Sequence, residues 1–179
     1  MRTSSTFSIL FCIYATRAVK VKDLFVFSCY TGISYSDIIA LTDNHIVIGI
    51  DGKPWIMASR VKTGTPFKIP LLPKAATLIE KYRCHPKTAQ NADLLPKLSN
   101  QKLNSYLKEI ADLCGIKKNL TFHMAQHTFA TTVTLSNSVP IETVSKLLRH
   151  TKLATTQIYA RVVERKVSDD MNILRQRLA

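Results

Sequence analysis

The side chains best suited to chemistry at neutral pH are five histidines, at positions 45, 85, 123, 127 and 150, together with Lys62 and Tyr159. His123 and His127 stand four residues apart in TFHMAQHTFATT, just over one helical turn, so both imidazoles share a helix face. Tyr159 follows His150 by nine residues in RHTKLATTQIYARV, and Lys62 sits in RVKTGT, in a turn between two β-like runs. A lysine, histidines and a phenol together suit phosphate chemistry. The amine and imidazoles donate hydrogen bonds to phosphoryl oxygens, and the phenol oxygen can attack phosphorus. Zinc competes for His123 and His127, but the general-base glutamate of His-Glu-x-x-His is absent and no third ligand stands nearby. No metal and no cofactor is expected. For His127 alone the expectation is a packed or capping core histidine.

The elements that must hold these groups follow from pattern. Lys22 to Tyr30 is apolar and reads as a helix broken by Thr31-Gly32, after which Ser34 or Ser36 can cap a second helix from Asp37 to Leu41. HIVIGI (45–50), WIMAS (55–59) and FKIPL (67–71), separated by DGK and KTGTP, predict a three-stranded antiparallel meander with Lys62 at a turn. From Pro73 onward the chain reads as helices near 74–83, 100–114, 123–136, 140–149, 152–159 and 164–177, with a polar loop holding Pro86 and Pro96. Pro140 fits the first turn of its helix. The fold class is therefore α+β, mainly helical, with one small sheet.

Composition narrows the partner. The chain has 179 residues, 46% of them apolar and 21% charged, with net charge +13 and pI about 9.8. Basic residues recur along the whole length, which favours a polyanion, with nucleic acid ahead of an anionic membrane surface. The four cysteines (Cys12, Cys29, Cys84, Cys114) show no Cys-x-x-Cys spacing and read as reduced thiols of a cytoplasmic protein. The run from Phe7 to Ala15 imitates a weak signal peptide but is too short to span a bilayer. A buried helix, or a non-native start ahead of the domain, is the favoured reading of it.

TGISYSDI (31–38), RVKTGT (60–65), HMAQHTFATT (123–132) and VSKLLRHTKLATTQIYARV (144–162) resemble, in order, the boxes of the tyrosine recombinase or phage integrase family, with the flavour of Bacteroides-type mobile elements. The resemblance runs from about residue 20 to 165. It implies the catalytic-domain fold of that family over 20–163, after an apolar extension at 1–19 and before an amphipathic tail helix at 164–179. It also implies roles. Tyr159 is the nucleophile that forms a 3′-phosphotyrosyl bond with double-stranded DNA, and Lys62 protonates the 5′-oxygen that leaves. His123 takes the tyrosine proton or holds a non-bridging oxygen, and His150 hydrogen-bonds the phosphate. Asp37 braces the pocket, while Arg60, Thr63, Arg149 and Arg161 flank the boxes as phosphate-binding or supporting residues.

Two positions depart from the pattern. The family places arginines where this chain has Ser34 and Gln126. Arginine offers a charged planar fork, glutamine a single neutral amide. Losing one preorganised donor costs roughly 10²–10³ in rate, and losing both on the order of 10⁴ or more, without strict additivity. Asp37, deprived of its arginine, sits unpaired or finds another cation. Arg149, where relatives carry glycine, either partly restores the missing charge or, the favoured expectation, points to solvent or a distant DNA phosphate. His150 is read as functional in preference to a mere cap at the end of helix 140–149. The short lead before the boxes predicts weak, steeply salt-dependent DNA binding. The stripe Val163, Val167, Met171, Leu174 and Leu178 suits docking on a second copy, or packing within the chain. Three functions follow: a recombinase or integrase, a degenerate DNA-binding remnant, and, more weakly, a type IB topoisomerase-like nicking-closing enzyme.

Overall fold

Val21, Leu24 and Phe27, spaced by three, are fully buried and form the first wall of the core. They belong to α1 (Thr3–Thr31), of which the expected 22–30 helix is the end. The structure, a computed structural model, describes residues 3–83, 92–150, 152–160 and 164–178. Helix α1 stops at the expected break, because Gly32 takes φ +67° while its N–H donates back to the Ser28 carbonyl at 2.8 Å. A side chain there fails twice: a Cβ lies 2.6 Å from Cδ1 of the buried Phe129 ring, and the backbone is left-handed. Gly32→Ala is expected to cost about 2–4 kcal/mol, read as a lower denaturant midpoint at unchanged slope; an unchanged midpoint contradicts the packing.

Helix α2 (Tyr35–Ile39) is one turn, shorter at its end than the sequence suggests. Ser34 occupies its N-cap position but makes no side-chain cap bond; its hydroxyl is committed to Asp37 instead. His45 is also accounted for locally, since its Nδ1 accepts from the Thr42 N–H at 2.9 Å at the start of a short 3₁₀ turn.

Strands β1 (Ile46–Ile48), β2 (Pro54–Ser59) and β3 (Pro66–Pro70) form the antiparallel meander in that order, with Ile46 opposite Ile56 and Ile56 opposite Ile69. Alternation carries Ile56, Phe67 and Ile69 into the core and leaves Lys68 outside. The β2–β3 turn is closed by Arg60 N–H to Thr65 O at 2.9 Å and by Gly64 N–H to Arg60 O at 2.8 Å, holding Lys62 exposed at its tip.

Helices α3 (Pro73–Arg83) and α4 (Asn100–Leu113) pack on α1 through Ala75, Leu78, Ile79, Leu103 and Leu107. Burial pushes the Asp23 carboxyl up, but hydrogen bonds from Lys81 and Tyr82 outweigh it and hold it below the usual range, clamping α1 to α3. A second, smaller cluster joins Phe129, Ala130, Leu135, Val144, Leu148 and Tyr159. Its members come from the segment 129–137 that follows α5 (Met124–Thr128), from α6 (Ile141–Leu148) and from α7 (Ala154–Ala160); α8 (Glu164–Leu178) comes last.

The single helix expected over 123–136 is instead three pieces: α5, a π turn at Phe129–Thr134 and a 3₁₀ turn at Leu135–Asn137. Threonine chemistry explains the break. The Thr134 hydroxyl donates to the carbonyls of Phe129 and Ala130 at 2.9 and 2.8 Å, and Thr131 donates to His127 O at 2.8 Å, so side chains compete for the helix's acceptors. Pro140 stands just ahead of α6. Cys29 is buried and Cys114 exposed, both unbridged. Among the described residues no helix is long and apolar enough to cross a membrane. Arg161 and Val163 lie outside the described residues.

Candidate active site

Three local structures converge on one cleft. The Gly32 break and α2 bring Ser34 and Asp37, the β2–β3 turn brings Arg60 and Lys62, and the start of α5 brings His123 and Gln126. These six line a cleft of about 610 Å³, facing Asn100, Asn104 and Thr121 on the α4 side. Asn104 fixes the approach to His123, its side-chain oxygen accepting the Phe122 N–H at 2.8 Å. The cleft is one-sidedly basic in its free groups, because its carboxylate is already engaged.

That carboxylate, Asp37, is 2% exposed and heavily bonded. Its Oδ1 accepts the Val61 N–H at 3.0 Å, tying the lysine turn to α2. Its Oδ2 accepts the Ser34 hydroxyl at 2.7 Å and Arg149 Nη1 at 3.3 Å, with Arg60 Nε at 3.9 Å. Asp37 has therefore found a cation, and the expectation that Arg149 points to solvent is overturned. Its side chain is 4% exposed, its second arm donates to the Gly32 carbonyl at 3.1 Å, and its plane lies 4.5 Å from the Phe67 ring centre. Packing on that ring, together with the left-handed φ of +63° at the end of α6, turns the chain and the guanidinium inward. Burial pulls Arg149 down to about 10, against the pull of Asp37 upward, so it remains a cation at neutral pH.

Gln126 lines the cleft, yet its amide donates to the same Gly32 carbonyl at 2.9 Å. Ser34 likewise spends its hydroxyl on Asp37. At both departures from the arginine pattern the side chain in place is turned onto the protein.

The second half of the site is a chain of rings. His123 and His127 are 5.3 Å apart edge to face, His127 and Tyr159 4.8 Å apart edge to face, and His150 stacks on Tyr159 at 6.3 Å. One imidazole thus separates His123 from the phenol. His127 is not the core histidine expected; it is exposed, with its ring against Tyr159. His150 does not cap α6 with its ring. Its Nδ1 shares a 2.8 Å hydrogen bond with the fully buried Thr156 hydroxyl, which fixes the ring and leaves Nε2 as the outward nitrogen. Thr156 was legible only as part of ATTQIY, and nothing in its spacing marks it as the partner of His150. Tyr159 is buried, which raises its phenol above the usual value. Thr63, on the turn, bonds Thr65 at 2.9 Å. No cluster of three metal-binding side chains occurs among the described residues.

Partial desolvation, then the neighbouring His123, holds His127 below its ordinary value of 6.5; burial, then Arg60, then Arg149, does the same for His150. The unfolded chain therefore takes up protons at higher pH than the folded one. Stability is full above about pH 6.5 and is lost as pH falls through the lower folded-state values. Thermal melts from pH 7.5 to 5 are expected to show a falling Tm that His127→Gln plus His150→Gln flattens; a Tm indifferent to pH contradicts the partial desolvation of these rings.

The profile of the phage integrase family matches residues 9–166. A tyrosine recombinase XerD of Listeria monocytogenes serotype 4b (strain F2365) is 34% identical over 117 residues, covering 56% of this chain and 37% of that protein. The chain thus spans little more than a third of that relative's length. Among solved structures, the XerA recombinase superposes with a TM-score of 0.64 at 20% identity, over 87% of this chain and 63% of that one. The catalytic domain of bacteriophage HP1 integrase superposes with a TM-score of 0.57 at 18% identity, over 84% of this chain and 79% of that one. With the fold shared, the boxes in order and the profile spanning most of its length, the chain belongs to the phage integrase family of tyrosine recombinases.

Proposed function

We propose that the chain is the catalytic domain, 20–163, of a site-specific recombinase of a mobile element that cuts and rejoins double-stranded DNA through Tyr159. The observation that carries this is the convergence of Lys62, Arg60, His123 and Gln126 on one cleft with the phenol one ring away. The phenol leaves its seat, where His127 stands between it and His123, its oxygen attacks phosphorus, and its proton passes to His123. The P–O5′ bond breaks, and Lys62 returns a proton to the departing oxygen. One phosphoester replaces another, so the bond is conserved for rejoining and neither metal nor nucleotide enters. His150, oriented by Thr156, donates Nε2–H to a non-bridging oxygen, and Arg60, Thr63 and Arg161 support the DNA backbone around it.

A nicked suicide substrate, from which the short cut strand diffuses away, tests this. Covalent DNA on the protein supports the enzyme. Retarded but never covalent DNA supports the second reading, a degenerate DNA-binding remnant, which the inward commitment of Ser34 and Gln126 favours.

Assembly on DNA through α8 belongs to the same proposal, since Val167, Met171, Leu174 and Leu178 are all exposed along one stripe. Chromatography on DNA-bound protein with and without residues 164–179 is expected to give a larger complex only with the tail; equal masses contradict tail-driven assembly. The working compartment proposed is the cytoplasm, with no membrane partner.

A further inference from the structure

We propose that Arg149 is a positioning residue that, from behind the cleft wall, cancels the Asp37 charge within it and so lets that wall hold an anion. The catalytic consequence, though not the charge placement itself, rests on the function proposed above.

The backbone is the first sign. Arg149 adopts φ +63° and ψ 34°, a conformation unfavourable for a residue bearing a Cβ. Such a residue persists where its surroundings over-determine it. Those surroundings are specific: the Asp37 carboxylate, the Gly32 carbonyl and the Phe67 face take up the guanidinium's two arms and its plane. Among the described residues its buried Nε–H has no hydrogen-bond partner, so the group was not placed for hydrogen bonding alone.

The second sign is the shared acceptor. Asp37 Oδ2 takes both the Ser34 hydroxyl and Arg149 Nη1. Serine and guanidinium thus approach one carboxylate oxygen from two elements, in the space that a single longer cation at position 34 could fill. Arg149 does not line the cleft, so it does not grip the anion itself. Without it, a buried carboxylate stands in the cleft wall beside Ser34, Arg60 and Gln126, with Arg60 only at 3.9 Å in partial compensation. An uncompensated charge at that depth repels a phosphate through a poorly screened medium.

Relocating the charge tests this. Four chains of residues 1–179 are compared: unchanged, R149G, S34R and S34R/R149G. R149G is expected to lower Tm by roughly 5–15 °C, because an unpaired buried carboxylate outweighs relief of the left-handed backbone. S34R/R149G is expected to regain most of that loss, and S34R alone to gain nothing, having one carboxylate for two buried cations. A role in packing over Phe67 alone predicts no such rescue. An R149G Tm at or above the unchanged value, or a double variant no better than R149G, overturns the proposal. If R149G yields no folded protein, a folded double variant supports it and an unfolded one overturns it. On the suicide substrate, R149G is expected to trap DNA roughly tenfold or more slowly, with recovery in the double variant. Tm rescue with no trapping by any chain, the unchanged one included, leaves the charge placement standing and removes the enzyme reading.

Discussion

A Tyr159→Phe chain is expected to retard DNA as the unchanged protein does and never to become joined to it. The substitution deletes one oxygen and keeps the ring, so the edge contact with His127 and the stack with His150 survive. Stability should stay within about 1 kcal/mol of the unchanged chain. On the proposed function, DNA affinity rests on lysines and arginines spread across the surface and not on this phenol. What disappears is the nucleophile, and no other hydroxyl of the described site stands in the ring chain to replace it. Denaturing gels of the suicide-substrate reaction read the result directly. Covalent DNA persisting on the phenylalanine variant would remove Tyr159 from the mechanism, whatever the rest of the cleft does.

Gln126→Arg is expected to speed covalent trapping by roughly 10², as restoring one preorganised oxyanion donor does elsewhere. Gln126 already lines the cleft, and its amide reaches the Gly32 carbonyl at 2.9 Å. Arginine is longer and carries five N–H groups, so one can keep that carbonyl while the others face the cleft as a fork. The gain has an opposing effect. Arg149 already donates to the Gly32 carbonyl and Arg60 stands nearby, so a third guanidinium adds repulsion and should lower Tm by a few degrees. Single-turnover trapping rates compared at equal fraction folded separate the two effects. An unchanged rate in a folded variant would mean that position 126 does not meet the reacting phosphate.

How far the sequence revealed this site depends on how local each feature is. The sheet and the turn that carries Lys62 were legible, because β-branched runs separated by DGK and KTGTP are short-range signals. The four-residue spacing of His123 and His127 correctly put both rings on one face. The segment after it was misjudged as one helix. Apolar periodicity does not register threonine hydroxyls at 131 and 134 drawing carbonyls out of the α ladder. Arg149 was misjudged for a different reason. Its direction is set by a left-handed backbone and by Asp37, Gly32 and Phe67, which are remote in sequence. His127 was expected as a packed or capping core histidine once a metal site was set aside, whereas its ring is exposed and meets Tyr159, an element away. Spacing reports which face a side chain shares, and only tertiary contact reports what that face meets.

The second apolar cluster has a consequence for timing. Tyr159 is one of its six buried members, alongside Phe129, Ala130, Leu135, Val144 and Leu148. The residue proposed as the nucleophile is thus also a keystone of the hydrophobic arch formed by the segment 129–137, α6 and α7. On the proposed function, delivery of the phenol and local melting of that arch are one event, so the readiness of the blade is governed by how firmly its scabbard is packed.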